Sequence, residues 1–275
     1  MPTVIAYGAD YSAGEFSPAQ LDAYTAGGGW DLRVLLRYIG YPQQPKCISH
    51  YPGAYQQHVA AGRTVVLLHE WDVDDTAGGW DAGVAQARLA LNDANSIGYP
   101  ADMPIFMCAD DWLSKHGISV STAMSYLDGA ASVLGWNRTG AYGFSDFVHP
   151  AQDGGHARWF WLCGDEANVR DGIHLYQCNY SQFSHDGVGC DLNKVYVDPA
   201  SFSEGDFLMA LEPWKQERIF DRILSMSQGV DGQDFDGAQF AREESERRAL
   251  ADAVAKLSQQ VQALSDKIDA MQQNK

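Results

Sequence analysis

The sequence predicts an α/β fold, a closed (β/α)8 barrel of the TIM type followed by a C-terminal helical coiled coil. Three observations lead there. Strand-length apolar runs alternate with helix-like stretches as far as residue 200. The runs are continuously apolar, as in parallel strands buried on both faces. From Leu250 a heptad spacing replaces that alternation. An open doubly wound sheet is the competing arrangement, but no Gly-rich phosphate loop follows the first strand.

The elements follow in order. Thr3–Asp10 is a strand. Ser17–Ala26 is a helix, with Ser17 as N-cap and Pro18 in the first helical position. Arg33–Ile39 is the second strand, and Tyr51–Ala61 supplies the next helix. Thr64–Glu70 is the third strand, followed by the acidic, Gly-rich loop Trp71–Gly79. Trp80–Ile97 is an Ala-rich helix closed by Gly98. Pro104–Asp111 is the fourth strand, and Ser119–Leu134 a helix closed by Gly135. Thr139–Phe144, Ala157–Gly164, His174–Cys178 and Val188–Asn193 complete eight strands. That number fits the small end of closed barrels.

Beyond Ser201 the character changes. Glu212–Gln228 reads as one more helix and Gly229–Gly237 as a flexible linker. Leu250, Val254, Leu257, Val261, Leu264, Ile268 and Met271 then alternate spacings of four and three. β-branched residues at a with Leu or Met at d favour a parallel dimer, and the Ala, Ser and Gln flanks leave a trimer open. The competing reading is an amphipathic helix packed back on the barrel, which would show a wider apolar stripe. Three parts result: a barrel over 1–205, a helix and linker over 206–245, and a coiled coil over 246–275.

Charge and cysteines narrow the function classes. Lys plus Arg number 19 and Asp plus Glu 36, a formal charge of -17. Such a surface repels phosphate backbones, so no nucleic-acid partner is expected. No apolar stretch is long enough to span a membrane, and the first residues have no signal-peptide pattern. The five cysteines Cys47, Cys108, Cys163, Cys178 and Cys190 lack CxxC or metal-ligand spacing. A Cys178–Cys190 bridge is left open. The histidines form no HExxH pattern, so neither metal nor cofactor is expected. The acidic residues Asp72, Asp74 and Asp75 read as a solvated loop, since calcium-loop spacing is missing.

Chemistry in a barrel gathers at the C-terminal ends of its strands. Asp10, Glu70, Asp110, Asp111 and Asp191 fall at or near such ends, with Arg37 and Tyr38 late on the second strand and Tyr176 and Gln177 on the seventh. A charge ending an apolar strand needs a site or an ion pair to justify it. The plain alternative is that some cap helices or pair with Arg37. Clustered carboxylates raise one another's pKa, so one can stay protonated while another is ionised, as glycosidic hydrolysis requires. Trp71 and Trp112 follow acidic strand ends directly and would line a cleft.

These residues carry a resemblance. GADY at Gly8–Tyr11, RYIG at Arg37–Gly40, Glu70, the PIFMCAD run ending at Asp110, and GAYGFSD at Gly140–Asp146 resemble a glycoside hydrolase-like domain family without a settled activity. That family occurs in actinobacterial secreted proteins and in phage tail and lysis proteins. WFWLCG, LYQ at Leu175–Gln177 and GCDLN at Gly189–Asn193 are similar to the family-25 lysozymes, the muramidases. The resemblance spans residues 3–200. It implies an acidic pocket of Asp10, Glu70, Asp110 and Asp191, flanked by Arg37, Tyr176 and Gln177. The muramidases end strand four in Asp-x-Glu; here Asp110, Asp111 and Trp112 stand there, so the acid role either moves to Glu70 on the neighbouring strand or is absent.

The resulting expectation is a catalytic set of Glu70, Asp110 and Asp10. Arg37, Tyr38, Trp71, Asp111, Trp112, Tyr176, Gln177 and Asp191 would bind substrate. Glu70 would be the general acid and Asp110 the nucleophile, base or oxocarbenium stabiliser. The expected partners are a cell-wall polysaccharide, a second copy through the coiled coil, and other tail proteins. A barrel on a stalk is similar in layout to a phage minor tail protein, so the virion is the expected place and the extracellular space the second. A catalytically inactive saccharide-binding or structural tail protein is the alternative.

Overall fold

The computed structural model describes residues 2–41 and 46–198. The helix, linker and coiled coil expected after residue 205 lie outside the described residues. No helix among those described is long and apolar enough to cross a membrane.

Eight strands close into a barrel in sequence order: β1 (Ala6–Asp10), β2 (Leu32–Ile39), β3 (Thr64–His69), β4 (Ile105–Ala109), β5 (Thr139–Gly143), β6 (Trp159–Leu162), β7 (Leu175–His185) and β8 (Val188–Val195). Successive strands from β1 to β7 pair in parallel. β8 runs antiparallel to both β7 and β1.

This corrects the (β/α)8 expectation. Among the described residues five α-helices occur: α1 (Pro18–Ala26), α2 (Ala54–Ala60), α3 (Gly79–Ser96), α4 (Val120–Leu134) and α5 (Ser145–Gly154). A parallel neighbour needs a long crossover, whereas an antiparallel one needs only a tight turn. β7 is longer than the stretch expected from its apolar run, and Asp186 and Gly187 join it to β8. Their φ values of 48 and 80 suit the left-handed turn that continues the twist of a hairpin. The sequence reading also passed over α5, which holds Pro150 inside it.

Local signals account for the remaining helices. Ser17 forms a capping box with Gln20 at the start of α1, and Ser119 accepts from Thr122 N at the start of α4. α3 and α4 meet backbone to backbone. A Cβ on Gly83 would stand 2.0 Å from Tyr126 O, and one on Gly129 2.3 Å from Trp80 O.

Inward side chains alternate along each strand, as barrel geometry requires. Leu36, Leu68, Phe106 and Trp161 belong to the inner, buried set. The Phe106 and Trp161 rings meet edge to face at 5.8 Å. Gly140 makes room, since a Cβ there would lie 2.6 Å from the Phe106 ring. All five cysteines are free and buried, so the Cys178–Cys190 bridge does not form.

Candidate active site

Above the aromatic layer, the inward positions turn polar. Asp10 ends β1 and is 2% exposed. Its Oδ2 accepts from Asn193 Nδ2 at 2.6 Å, and both its oxygens accept from Gln177 Nε2 at 3.1 Å. Asn193 is oriented in turn by Trp161, whose Nε1 donates to its Oδ1 at 2.9 Å. Gln177 is oriented by Tyr142, whose hydroxyl donates to its Oε1 at 2.8 Å. Two amide side chains from β7 and β8, each oriented by a ring from β5 or β6, thus converge on one carboxyl group.

Burial, reinforced by the neighbouring Asp191 and Asp110, pushes the Asp10 carboxyl up to about 7. Asp191 pairs across with Asp10 in the β1–β8 ladder. It reaches the mouth because β8 runs backwards, and burial raises its pKa too. Gln177 Nε2 lies 3.5 Å from Asp191 Oδ2.

Glu70 and Asp110 follow β3 and β4 directly. Asp110 is exposed at the mouth, with its Oδ1 3.4 Å from the Tyr142 hydroxyl. Enclosure on its barrel side, together with Glu70, pushes it up to about 7. Glu70 is buried and forms an ion pair with Lys46 at 2.7 Å. Tyr38, also inward on β2, feels the same carboxylates and is raised well above the usual tyrosine range, first by burial.

The geometry therefore gathers Asp10, Tyr38, Glu70, Asp110, Gln177 and Asp191 around one mouth. Trp71 stands at the rim, 42% exposed, with its ring 5.3 Å from that of Tyr41. Trp112 is half-buried against Phe144 at 4.7 Å. Asp111 faces the outer rim, where Lys115, at 2.7 Å, and His116 engage it.

Arg37 and Tyr176 are placed elsewhere. Arg37 is fully buried on the helix-facing side of β2. Its guanidinium donates to Tyr11 O, to Gly14 O at 2.9 Å and to Glu15 Oε2 at 2.9 Å. His58 of α2 meets the other oxygen of Glu15 at 3.0 Å. Burial opposes ionisation of Glu15, but His58, Arg37 and Tyr11 together hold its pKa below the usual range. This network fastens the loop after β1. Tyr176 is 1% exposed, and its hydroxyl donates to Gly164 O at 2.8 Å. Neither residue is open to a ligand in the mouth, because each is one position out of phase with the inward set.

Three residues of the mouth escaped the sequence reading of the site. Tyr142 and Asn193 carried a usable signal, since each lies an even number of residues from an inward neighbour. Lys46 carried none; it follows the stretch Pro42–Pro45 without periodicity.

Known proteins share this fold. Rv2525c of Mycobacterium tuberculosis, a candidate peptidoglycan hydrolase, is 29% identical over 140 residues, which cover 49% of this chain and 58% of that protein. The matched stretch thus spans little more than half of the relative. The crystal structure of Tat-secreted Rv2525c with L-tartrate superposes with a TM-score of 0.61 at 23% identity, over 70% of this chain and 97% of that one. An uncharacterized Bacillus stearothermophilus protein superposes with a TM-score of 0.54 at 13% identity, over 72% of this chain and 100% of that one. At these identities the superpositions speak for the fold. The family model of the Rv2525c-like, glycoside hydrolase-like domain matches residues 31–235, well over half of the chain. With its closed eight-stranded barrel and its mouth of carboxylates, the chain belongs to the Rv2525c-like glycoside hydrolase-like domain family.

Proposed function

We propose that the barrel hydrolyses a glycosidic bond in a cell-wall glycan of the peptidoglycan type. The observation that carries this is the unequal state of adjacent carboxyl groups: Asp110 is pushed up to about 7, while Glu70 is paired with an ammonium. Glycosidic cleavage needs a carboxylic acid to protonate the leaving oxygen and a carboxylate to act as nucleophile or base. Asp110, exposed and with its carboxyl pushed up toward neutrality, takes the acid role. Glu70 takes the anionic role, the reverse of the order expected from the sequence.

Asp10 lies beneath them, nearly closed to solvent. It holds Gln177 and Asn193 rather than meeting the sugar. Asp191, Tyr38 and Gln177 flank the reacting bond, while Trp71, Trp112 and Asp111 line the approach. The candidate-hydrolase assignment of the Mycobacterium relative supports the glycan class. Its Tat secretion favours an extracellular place of action over a virion.

The test is release of soluble glycan fragments from purified actinobacterial cell walls by wild type, Asp110→Asn and Glu70→Gln. Fragments from wild type alone are expected. No fragments from any of the three, with all three sedimenting with the walls, would replace hydrolysis with saccharide recognition.

The division into a barrel over 1–205, a linker over 206–245 and a self-associating segment over 246–275 rests on the heptads. A place among phage tail proteins rests on that stalk and on the family resemblance. Truncation after residue 205 should leave a folded monomer where the full chain is a dimer or trimer on sizing. An oligomeric truncated chain would remove the stalk from the proposal.

A further inference from the structure

Among the described residues, the inner carboxylates of the mouth form an ion pair with a single cation, Lys46. Its Nζ lies 2.7 Å from Glu70 Oε2, with the two side chains 15% and 10% exposed. The ammonium also stands 4.4 Å from the centre of the Tyr38 ring and 5.8 Å from that of Tyr41. Ring faces attract a cation, and most strongly where water is scarce.

The backbone fixes this placement. Cys47, fully buried, bridges to Tyr38 in parallel register. Its sulfur accepts from Tyr41 N at 3.3 Å and lies 3.5 Å from Tyr41 O. The neck of the loop after β2 is therefore pinned at Cys47, and Lys46 is directed over the mouth.

The one other base beside the pair among the described residues is His69 on β3, which interacts with both Glu70 and Lys46. Burial lowers its pKa, so it adds no charge near neutrality. The remaining groups are acids or neutral. Asp10 and Asp191 stand on the β1–β8 side, and Tyr38 on β2. Cys108 and Tyr142 come from β4 and β5, and Asp75 lies behind β3. On the rim, Asp111 engages Lys115 and His116. Two neighbouring carboxyl groups with no cation share one proton and titrate as a pair, so neither has a fixed role. A cation bound to one member breaks that symmetry.

We infer that Lys46 is a positioning residue for this carboxylate set: its ammonium pairs with Glu70 and not with Asp110, and so divides the two roles between them. The inference rests on the hydrolytic reading above. Lys46 also acts on Asp110 itself, drawing down a carboxyl that burial and Glu70 drive up. It thereby keeps the proton of Asp110 releasable near neutrality, which a general acid requires.

The experiment is the pH profile of fragment release for wild type, Lys46→Gln and Lys46→Arg, with thermal unfolding of each. In Lys46→Gln the basic limb should move up by about one pH unit, the low end of the effect of losing a nearby opposite charge. Peak kcat should fall about tenfold or more, because the acid and its partner no longer hold separate charge states. Lys46→Arg should restore both. A uniform loss across pH with the limb unmoved would make Lys46 merely structural. A rise in KM with kcat unchanged would make it a substrate contact. Either result overturns the inference.

Carboxyl-carbon NMR of labelled Asp residues gives a readout that needs no turnover. If wild type releases nothing, the hydrolytic reading fails by itself. The titration midpoint of Asp110 in wild type and Lys46→Gln then decides the inference: a rise in the variant supports it, and coincident midpoints refute it.

Discussion

Replacing Asp10 by Asn should stabilise the protein, and by an amount that grows with pH. The Asp10 carboxyl ionises near 3.8 in an unfolded chain and at about 7 in the barrel. The folded state therefore binds the proton more tightly, and stability falls as pH rises through that window, reaching a floor above it. A separation of about 3 pH units corresponds to about 4 kcal/mol once both states are ionised. At pH 5 the unfolded chain has already ionised while the barrel has not, and the cost is about 1.5 kcal/mol.

Asparagine removes this term but sets its own NH2 against that of Gln177, which costs about 1–2 kcal/mol of hydrogen bonding. The variant should therefore match wild type at pH 5 and exceed it by about 2–3 kcal/mol at pH 9. Urea unfolding of both proteins at the two pH values measures the difference, and all other titrations largely cancel in it. A difference between the variants that stays the same at pH 5 and pH 9 would refute a buried, proton-retaining Asp10. A residue kept at such a cost in alkaline solution is more readily explained by function than by folding.

Other outcomes are equally specific. Fragment release should decline as pH rises above about 7, because Asp110 must carry its proton; a rate still climbing at pH 9 would exclude it as the acid. Arg37→Met should cost about 3–5 kcal/mol in thermal or urea unfolding by stranding the buried Glu15, while kcat of the folded protein changes little. Loss of kcat without loss of stability would return Arg37 to the site. Gly187→Val should destabilise by about 1–2 kcal/mol, since a β-branched residue resists the positive φ of the hairpin turn; unchanged urea unfolding would deny that turn. Reducing agent should leave the melting temperature unchanged, because all five cysteines are free; a lowered melting temperature would reveal a bridge.

The legible part of this protein was what adjacent residues dictate. Ser17 before Pro18 marked a capped helix, and continuously apolar runs marked buried strands, including each carboxylate that ends one. What failed was phase. The runs hide which residues face inward, because both faces of such strands are covered and both are apolar. Arg37 and Tyr38 look equally placed in RYIG, yet only Tyr38 shares the phase of Leu36 and faces the mouth. Tyr176 and Gln177 divide in the same way.

The direction of β8 is written in Asp186-Gly187, a strong short hairpin signal that the preceding alternation of strands and helices masks. α5 had no such marker. Its internal Pro150 reads as a breaker, and packing against α4, β5 and β6 holds the segment helical. Lys46 depends on where a thiol pins its loop, a relation that no local pattern expresses.

The reversed last strand has a consequence for how the barrel can be built upon. Were all eight strands parallel, the barrel would be entered at one pole and left at the other, beside the carboxylates of the mouth. Because β8 runs backwards, Val195 returns to the level of Ala6, and Ile5 N donates to Val195 O at 2.9 Å. Entry and exit share the pole away from Asp10 and Asp191. The first and last strands of the barrel are therefore both joined to the rest of the chain at the pole opposite the carboxylates.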